Sequence, residues 1–254
     1  MRKITLGEPL LHLESVDSTN TYATALLRKG TATEGTVILA DHQTQGRGQG
    51  GSRWFSDAGN SLLCSIILKP DFLMAGRQFY LSMCVSNAII ELILPFTQPV
   101  RIKWPNDILA NGRKVAGILI ENTILGKNLN TSLIGIGLNV NQKVFPSDLP
   151  NPISLSMATG KEYGLADSLS ALLKSLTTHI NKLYSERYAE IKTIYLNNLW
   201  GLNDWVVYAD SSGTFEGRIA DVSDSGELMV VHRSGAIKQY GFKEIIFPVE
   251  SLNS

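Results

Sequence analysis

The sequence predicts an α+β protein: a mixed sheet flanked by helices, followed by a small all-β barrel. Strand-length apolar runs alternate with helix-length amphipathic stretches through the first 200 residues. After Gly201 the composition shifts to short β-branched runs cut by Ser/Gly/Asp turns. Apolar residues make up 44% of 254, enough for a sizeable core and too many for a disordered chain. The boundaries expected are 1–200 for a large catalytic-type domain and 201–254 for the barrel.

Ser18 to Lys29 reads as a short helix, with Ser18, Thr19 and Asn20 all good N-caps and Gly30 as the stop. Thr36 to Ala40 is β-branched and reads as a strand. A long loop, Gln45 to Gly59, precedes a strand at Ser61 to Leu68. Phe79 to Leu94 has helix length and a broad apolar face, and Pro95 stops it. Asp107 to Ala110 and Lys114 to Asn122 flank Asn111-Gly112, a strong hairpin signal. Leu133 to Val140 is another strand, with Gly135 and Gly137 where something approaches the backbone. Helices fill Ala166 to Tyr184 and Glu186 to Trp200. Five short strands follow, at Trp205 to Tyr208, Thr214 to Val222, Leu228 to His232, Ile237 to Tyr240 and Glu244 to Phe247.

Lys+Arg and Asp+Glu both total 23, so no global basic field draws the chain to DNA or to an anionic membrane. Any anion site must be local. Met1-Arg2-Lys3 does not lead into a signal peptide, and no apolar run is long enough for a membrane span. Cys64 and Cys84 sit among apolar neighbours with no metal or disulfide spacing, which fits reduced core residues in a cytoplasmic protein. No protein-held metal site is expected.

Three segments invite chemistry. Gly46-Arg47-Gly48-Gln49-Gly50-Gly51-Ser52-Arg53-Trp54 holds four glycines in six residues, an entropic cost that suits a loop closing on a ligand. Arg47 and Arg53 add donors for carboxylate or phosphate oxygens. Taken alone it reads equally well as a mobile surface loop; it lacks a Walker ending and the helix a Rossmann turn needs. Lys103-Trp104-Pro105-Asn106-Asp107 sets a cation, an amide and a carboxylate beside two apolar rings. Lys114-Val115-Ala116-Gly117 returns on the next hairpin arm, and Lys114 reaches Asp107 only if the pairing register permits. Gly135-Ile136-Gly137-Leu138-Asn139 offers open backbone and an amide. Lys103 and Lys114 read singly also suit a solvated strand face.

In this order, Asp17-Ser18-Thr19-Asn20, Gln43 with the Gly46–Trp54 loop, Lys103–Asp107, Lys114–Gly117 and Gly135–Asn139 resemble the biotin–protein ligase family. The resemblance covers nearly the whole chain and is to the form without an N-terminal DNA-binding domain. It implies a class II synthetase-like, biotin–lipoate ligase fold with an SH3-like C-terminal barrel. It implies ATP and biotin as substrates, Mg²⁺ as cofactor, a biotinyl-adenylate intermediate and transfer to a lysine of a biotin carboxyl carrier domain. A homodimer, no DNA and no membrane partner complete the expectation.

By that resemblance Arg47, Lys114, Lys103 and Asp107 are the catalytic residues. Asp107 would orient Lys114, assist Mg²⁺ or accept a proton. Ser18, Thr19, Gln43, Gly46, Arg47, Lys114, Gly117 and Gly135 would bind biotin, and Arg47, Arg53, Trp54, Asn106, Lys114 and Asn139 the nucleotide. Many relatives read Gly-Arg-Gly-Arg-Arg-Gly in the loop; here Gln49 and Gly50 stand at the fourth and fifth positions. With two cations absent, the loop is expected to hold the adenylate less tightly, and Arg53 to compensate in part. A lipoate or octanoate ligase of related fold, or a non-catalytic biotin-binding module, are the alternatives.

Overall fold

The structure is a computed structural model and describes residues 3–248. Met1, Arg2 and residues 249–254, assigned above to a leaderless start and to the end of the barrel, lie outside the described residues. A seven-stranded mixed sheet forms the centre, in the order β1-β2-β3-β7-β6-β5-β4. Its strands are β1 (Leu10–Val16), β2 (Val37–Gln43), β3 (Ser61–Leu68), β4 (Val100–Lys103), β5 (Asp107–Ala110), β6 (Arg113–Leu125) and β7 (Asn128–Asn139). Among the described strands only β1 and β2 pair in parallel.

Both faces of the sheet are covered, which is why β3 is buried at every position and shows no alternation. On one face lies α1 (Thr19–Arg28), whose Ala23 and Tyr22 meet Ile38, Ile67 and Leu133. On the other lie α2 (Phe79–Ile93), α4 (Leu165–Tyr184) and α5 (Tyr188–Asn197). Helix α2 is apolar nearly all round and is correspondingly buried nearly all round. The short α1 covers only part of its face; the rest of that face carries the site.

The sequence expectations placed β3 and β5 to the residue and α2 and α4 to within one. They missed β1, β4 and the short helix α3 (Leu155–Thr159). β4 is short and its Val100-Arg101-Ile102-Lys103 earns strand geometry from its pairing with β5. The helix expected to Trp200 ends at Asn197, because Leu199 bridges Ile102 and the Trp200 amide donates to the Ile102 carbonyl. Cys64 and Cys84 are free and buried, and burial pushes the Cys64 thiol up to about 12.

The C-terminal strands β8 (Val206–Asp210), β9 (Gly213–Val222), β10 (Leu228–His232) and β11 (Ile237–Tyr240) form a separate antiparallel sheet, order β11-β10-β9-β8. The fifth expected strand, Glu244 to Phe247, is not one: Ile246 makes a single bridge to Ala209. Lys243, at φ 68°, turns the chain out of extended geometry, and the segment faces the large domain instead. Phe247 packs among Trp104, Trp200 and Tyr208, and the Trp104 indole donates to the Gly226 carbonyl at 2.9 Å. Trp104 therefore docks the second sheet.

Candidate active site

A cavity of about 530 Å³ opens beside the N-terminus of α1. Its walls bring together segments distant in sequence. Ser18, Thr19 and Gln43 line one end; Arg47, Gln49, Arg53 and Trp54 of the loop cover it. Lys103, Asn106 and Asp107 enter from the β4–β5 turn, Lys114 and Gly117 from β6, Gly135 from β7. Two expected site residues do not line it. Gly46 is buried at the base of the loop, where the Trp54 amide donates to its carbonyl at 3.0 Å. Asn139 donates from Nδ2 to the Ile153 carbonyl at 3.0 Å.

Lys114 reaches Asp107 through a β-bulge. Asp107 pairs with Gly117 and Ile108 with Ala116, but Leu109 pairs with Lys114, skipping Val115. In unbroken pairing Lys114 would share the face of Ala116 and Ile118, which are buried. The extra residue moves it to the Gly117 face. Lys114 Nζ lies 2.7 Å from Asp107 Oδ1.

Gly117 and Gly137 face each other across β6 and β7 and form the seat of the Trp54 ring. A Cβ on Gly137 would meet that ring at 2.4 Å, and one on Gly117 at 2.8 Å. The space expected for ligand at Gly117 is thus taken by Trp54. Gly135 makes room for the Asn20 side chain, whose Oδ1 lies 2.7 Å from where a Cβ would stand.

Around α1 the capping differs from expectation. The Ser18 side chain caps nothing; the Thr19 amide donates instead to Gln43 Oε1 at 2.8 Å. The Ser18 side chain is therefore spared for the cavity. Arg47 is engaged by Glu121, Nη2 to Oε1 at 2.7 Å, on the wall of the cavity it shares with Lys114. Burial lowers the Lys103 pKa, Lys114 lowers it further and Asp107 opposes them. Its ammonium stands 5.6 Å from the Phe247 ring centre.

Reading the sequence missed four lining or supporting residues. Lys243 donates to the Gly50 carbonyl at 3.0 Å, tying the second sheet to the glycine loop. Asn20 lines the cavity, and it bonds to the buried Ser65 and the half-buried Glu121 behind it. Ser65, set inside the otherwise apolar stretch Leu62–Leu68, was the available signal.

Five cations (Arg47, Arg53, Lys103, Lys114 and Lys243) line the cavity with one carboxylate, Asp107, and a second carboxylate, Glu121, pairs with Arg47 outside the lining. In a chain of zero net charge, this is a local anion site. Among the described residues no group of three His, Cys, Asp or Glu could cage a metal, and no helix is long and apolar enough to cross a membrane.

Residues 12–139 match the biotin/lipoate A/B protein ligase family. The bifunctional ligase/repressor BirA of Bacillus spizizenii is 31% identical over 239 residues, 92% of this chain and 73% of that protein. The biotin–[acetyl-CoA-carboxylase] ligase of Paracoccus denitrificans is 30% identical over 86% of this chain and 92% of its own. The structure of biotin protein ligase from Aquifex aeolicus in complex with biotin and ATP superimposes with a TM-score of 0.73 at 29% identity, covering 93% of this chain and 97% of that one. On the family match and on these relatives, the chain belongs to the biotin/lipoate A/B protein ligase family.

Proposed function

We propose that this chain joins biotin to ATP, forming biotinyl-adenylate and pyrophosphate, and passes the biotinyl group to a lysine of a biotin carboxyl carrier domain. In the first step a carboxylate oxygen attacks the α-phosphorus and pyrophosphate leaves. In the second the lysine amine attacks the acyl carbonyl, AMP leaves and the amine sheds a proton. One observation carries the reading: the cavity concentrates five cations where two anions must be joined, and anion must meet anion only where charge is offset.

Lys114 is the cation at the junction; Arg47, held by Glu121 in this structure, serves the same junction from the loop. Lys103 is the second cation, toward the incoming amine. Ser18, Thr19 and Gln43 hold the ureido ring, whose fixed donors and acceptors reward matched polar partners. Arg53, Trp54 and Asn106 serve the nucleotide. Gly46 and Asn139 support these walls from behind. Asp107 orients Lys114, and as the carboxylate lining the cavity it is the side chain that would approach a Mg²⁺ arriving with the phosphates as its main ligands. Mg²⁺ would supply charge to the triphosphate. Residues 1–200 act as the substrate-binding domain, and 201–254 closes it through Lys243 and Phe247. The exposed edge of β1 is where a second copy would add its sheet.

Incubation with ATP, Mg²⁺, biotin and a carboxyl carrier domain, read by mass, tests this. Biotin-dependent ATP–pyrophosphate exchange and one added biotinyl group are expected. Exchange driven by lipoate and not by biotin would move the chain to lipoate ligation. Tight biotin binding without transfer would make it a binding module.

A further inference from the structure

A file of six polar side chains runs through the α1 face of the sheet, from one end of the cavity to the loop that covers it. Gln43 Oε1 accepts from the Thr19 amide at 2.8 Å and from Thr19 Oγ1 at 3.0 Å. The Ser65 hydroxyl lies 2.7 Å from Thr19 Oγ1 and 2.5 Å from Asn20 Oδ1. Asn20 Nδ2 donates to Glu121 Oε2 at 2.8 Å. Glu121 then takes Arg47 Nη2 on Oε1 at 2.7 Å and Nη1 on Oε2 at 3.4 Å. Ser65 is fully buried, and Thr19 and Asn20 nearly so. Unpaired, such groups would cost more than the apolar residues that could replace them.

The file has a direction, and Glu121 sets it. A carboxylate only accepts, so Asn20 must turn its NH₂ toward Glu121 and its Oδ1 toward Ser65. Ser65 has one hydroxyl hydrogen and faces two oxygens. While Asn20 competes for that hydrogen, Thr19 keeps acceptor capacity toward the cavity. Without Glu121 the Asn20 amide can turn round, and the Ser65 hydrogen goes wholly to Thr19. Gln43 Oε1, filled by the two Thr19 donors, leaves the Gln43 NH₂ free to donate to the urea carbonyl, and the remaining Thr19 Oγ1 lone pair suits a urea N–H.

We propose that Glu121 is a positioning residue for this reaction: through Asn20 and Ser65 it sets the orientation of the Thr19–Gln43 pair, and it anchors the Arg47 guanidinium beside α1, at the edge of the cavity. This rests on the biotin reading above. It touches no substrate and acts through its neighbours alone.

Calorimetric titration of biotin without ATP, into wild type, Glu121→Ala, Glu121→Gln and Asn20→Ala, tests it. Glu121→Ala is expected to weaken biotin binding about tenfold, the effect of one lost hydrogen bond to a charged group. Glu121→Gln is expected to restore binding to within about threefold, because its amide oxygen still accepts from Asn20. The Glu121→Ala/Asn20→Ala double variant should bind no more weakly than the worse single one, since both cut the same file. Glutamine no better than alanine, or losses that multiply in the double variant, would overturn the proposal. A wild type that binds no biotin would overturn the underlying reading first.

Discussion

Lys114 and Asp107 meet at 2.7 Å because Val115 bulges out of the β5–β6 ladder. The ammonium thereby leaves the buried face of β6 and enters the cavity. A residue's chemistry here depends on a register shift one residue away.

Replacing Lys114 by alanine removes the junction cation and leaves the Asp107 carboxylate without its counter-charge. Adenylate formation is expected to fall by roughly 10²–10³, the scale of about 3–4 kcal/mol seen when one transition-state donor is deleted. Single-turnover release of pyrophosphate measures it. Asp107→Asn should cost less, because Lys114 keeps its charge; equal losses would show that the carboxylate does more than orient.

Alanine at Gly137 puts a Cβ 2.4 Å from the Trp54 ring, inside any tolerable contact. The ring must leave its seat, at a strain of about 1–3 kcal/mol. KM for ATP should rise while biotin binding in the absence of ATP holds. Trp54→Leu in the same chain should relieve the clash and recover thermal stability; no recovery would place the strain elsewhere.

Lys103 sheds its proton below the usual lysine range, chiefly because burial disfavours the ammonium. If that charge serves transfer, the rate falls as pH rises through the lowered pKa, before free lysine titrates. Lys103→Arg, charged throughout, should flatten this alkaline limb. Unfolding does not mimic the effect: between the folded and the higher unfolded pKa the unfolded chain binds more protons, so stability grows with pH. A limb unchanged in Lys103→Arg would remove Lys103 from the chemistry.

Gln49 lines the cavity with a buried Oε1 that has no hydrogen-bond partner, at the loop position where the family resemblance leads one to expect arginine. Adding the missing cation with Gln49→Arg should slow dissociation of biotinyl-adenylate by about tenfold, an effect of ~1.4 kcal/mol. Trapping the released adenylate with hydroxylamine reads the rate, and identical rates would discard the loop hypothesis.

Period and punctuation made β3, β5, α2 and α4 legible: Pro95, Asn111-Gly112 and unbroken apolar runs act over a few residues. The fifth C-terminal strand was misread because Glu244 to Phe247 has strand composition, yet Lys243 turns it toward the cavity. Trp54 was legible as a flat face, but its seat on Gly117 and Gly137 was not, since those glycines become neighbours only by pairing β6 with β7.

The amino-acid sequence by itself determined the element types, the local store of cations and the ordered motifs that mark the family. Those are properties of short windows, where hydrogen bonding, sterics and charge act on adjacent residues. Only the tertiary structure decided that Lys114 faces Asp107, that Lys243 reaches Gly50, and that Ser65 and Glu121 join Gln43 to Arg47. Each joins segments distant in sequence, and the Lys114–Asp107 contact turns on a single-residue shift in register that no local pattern records.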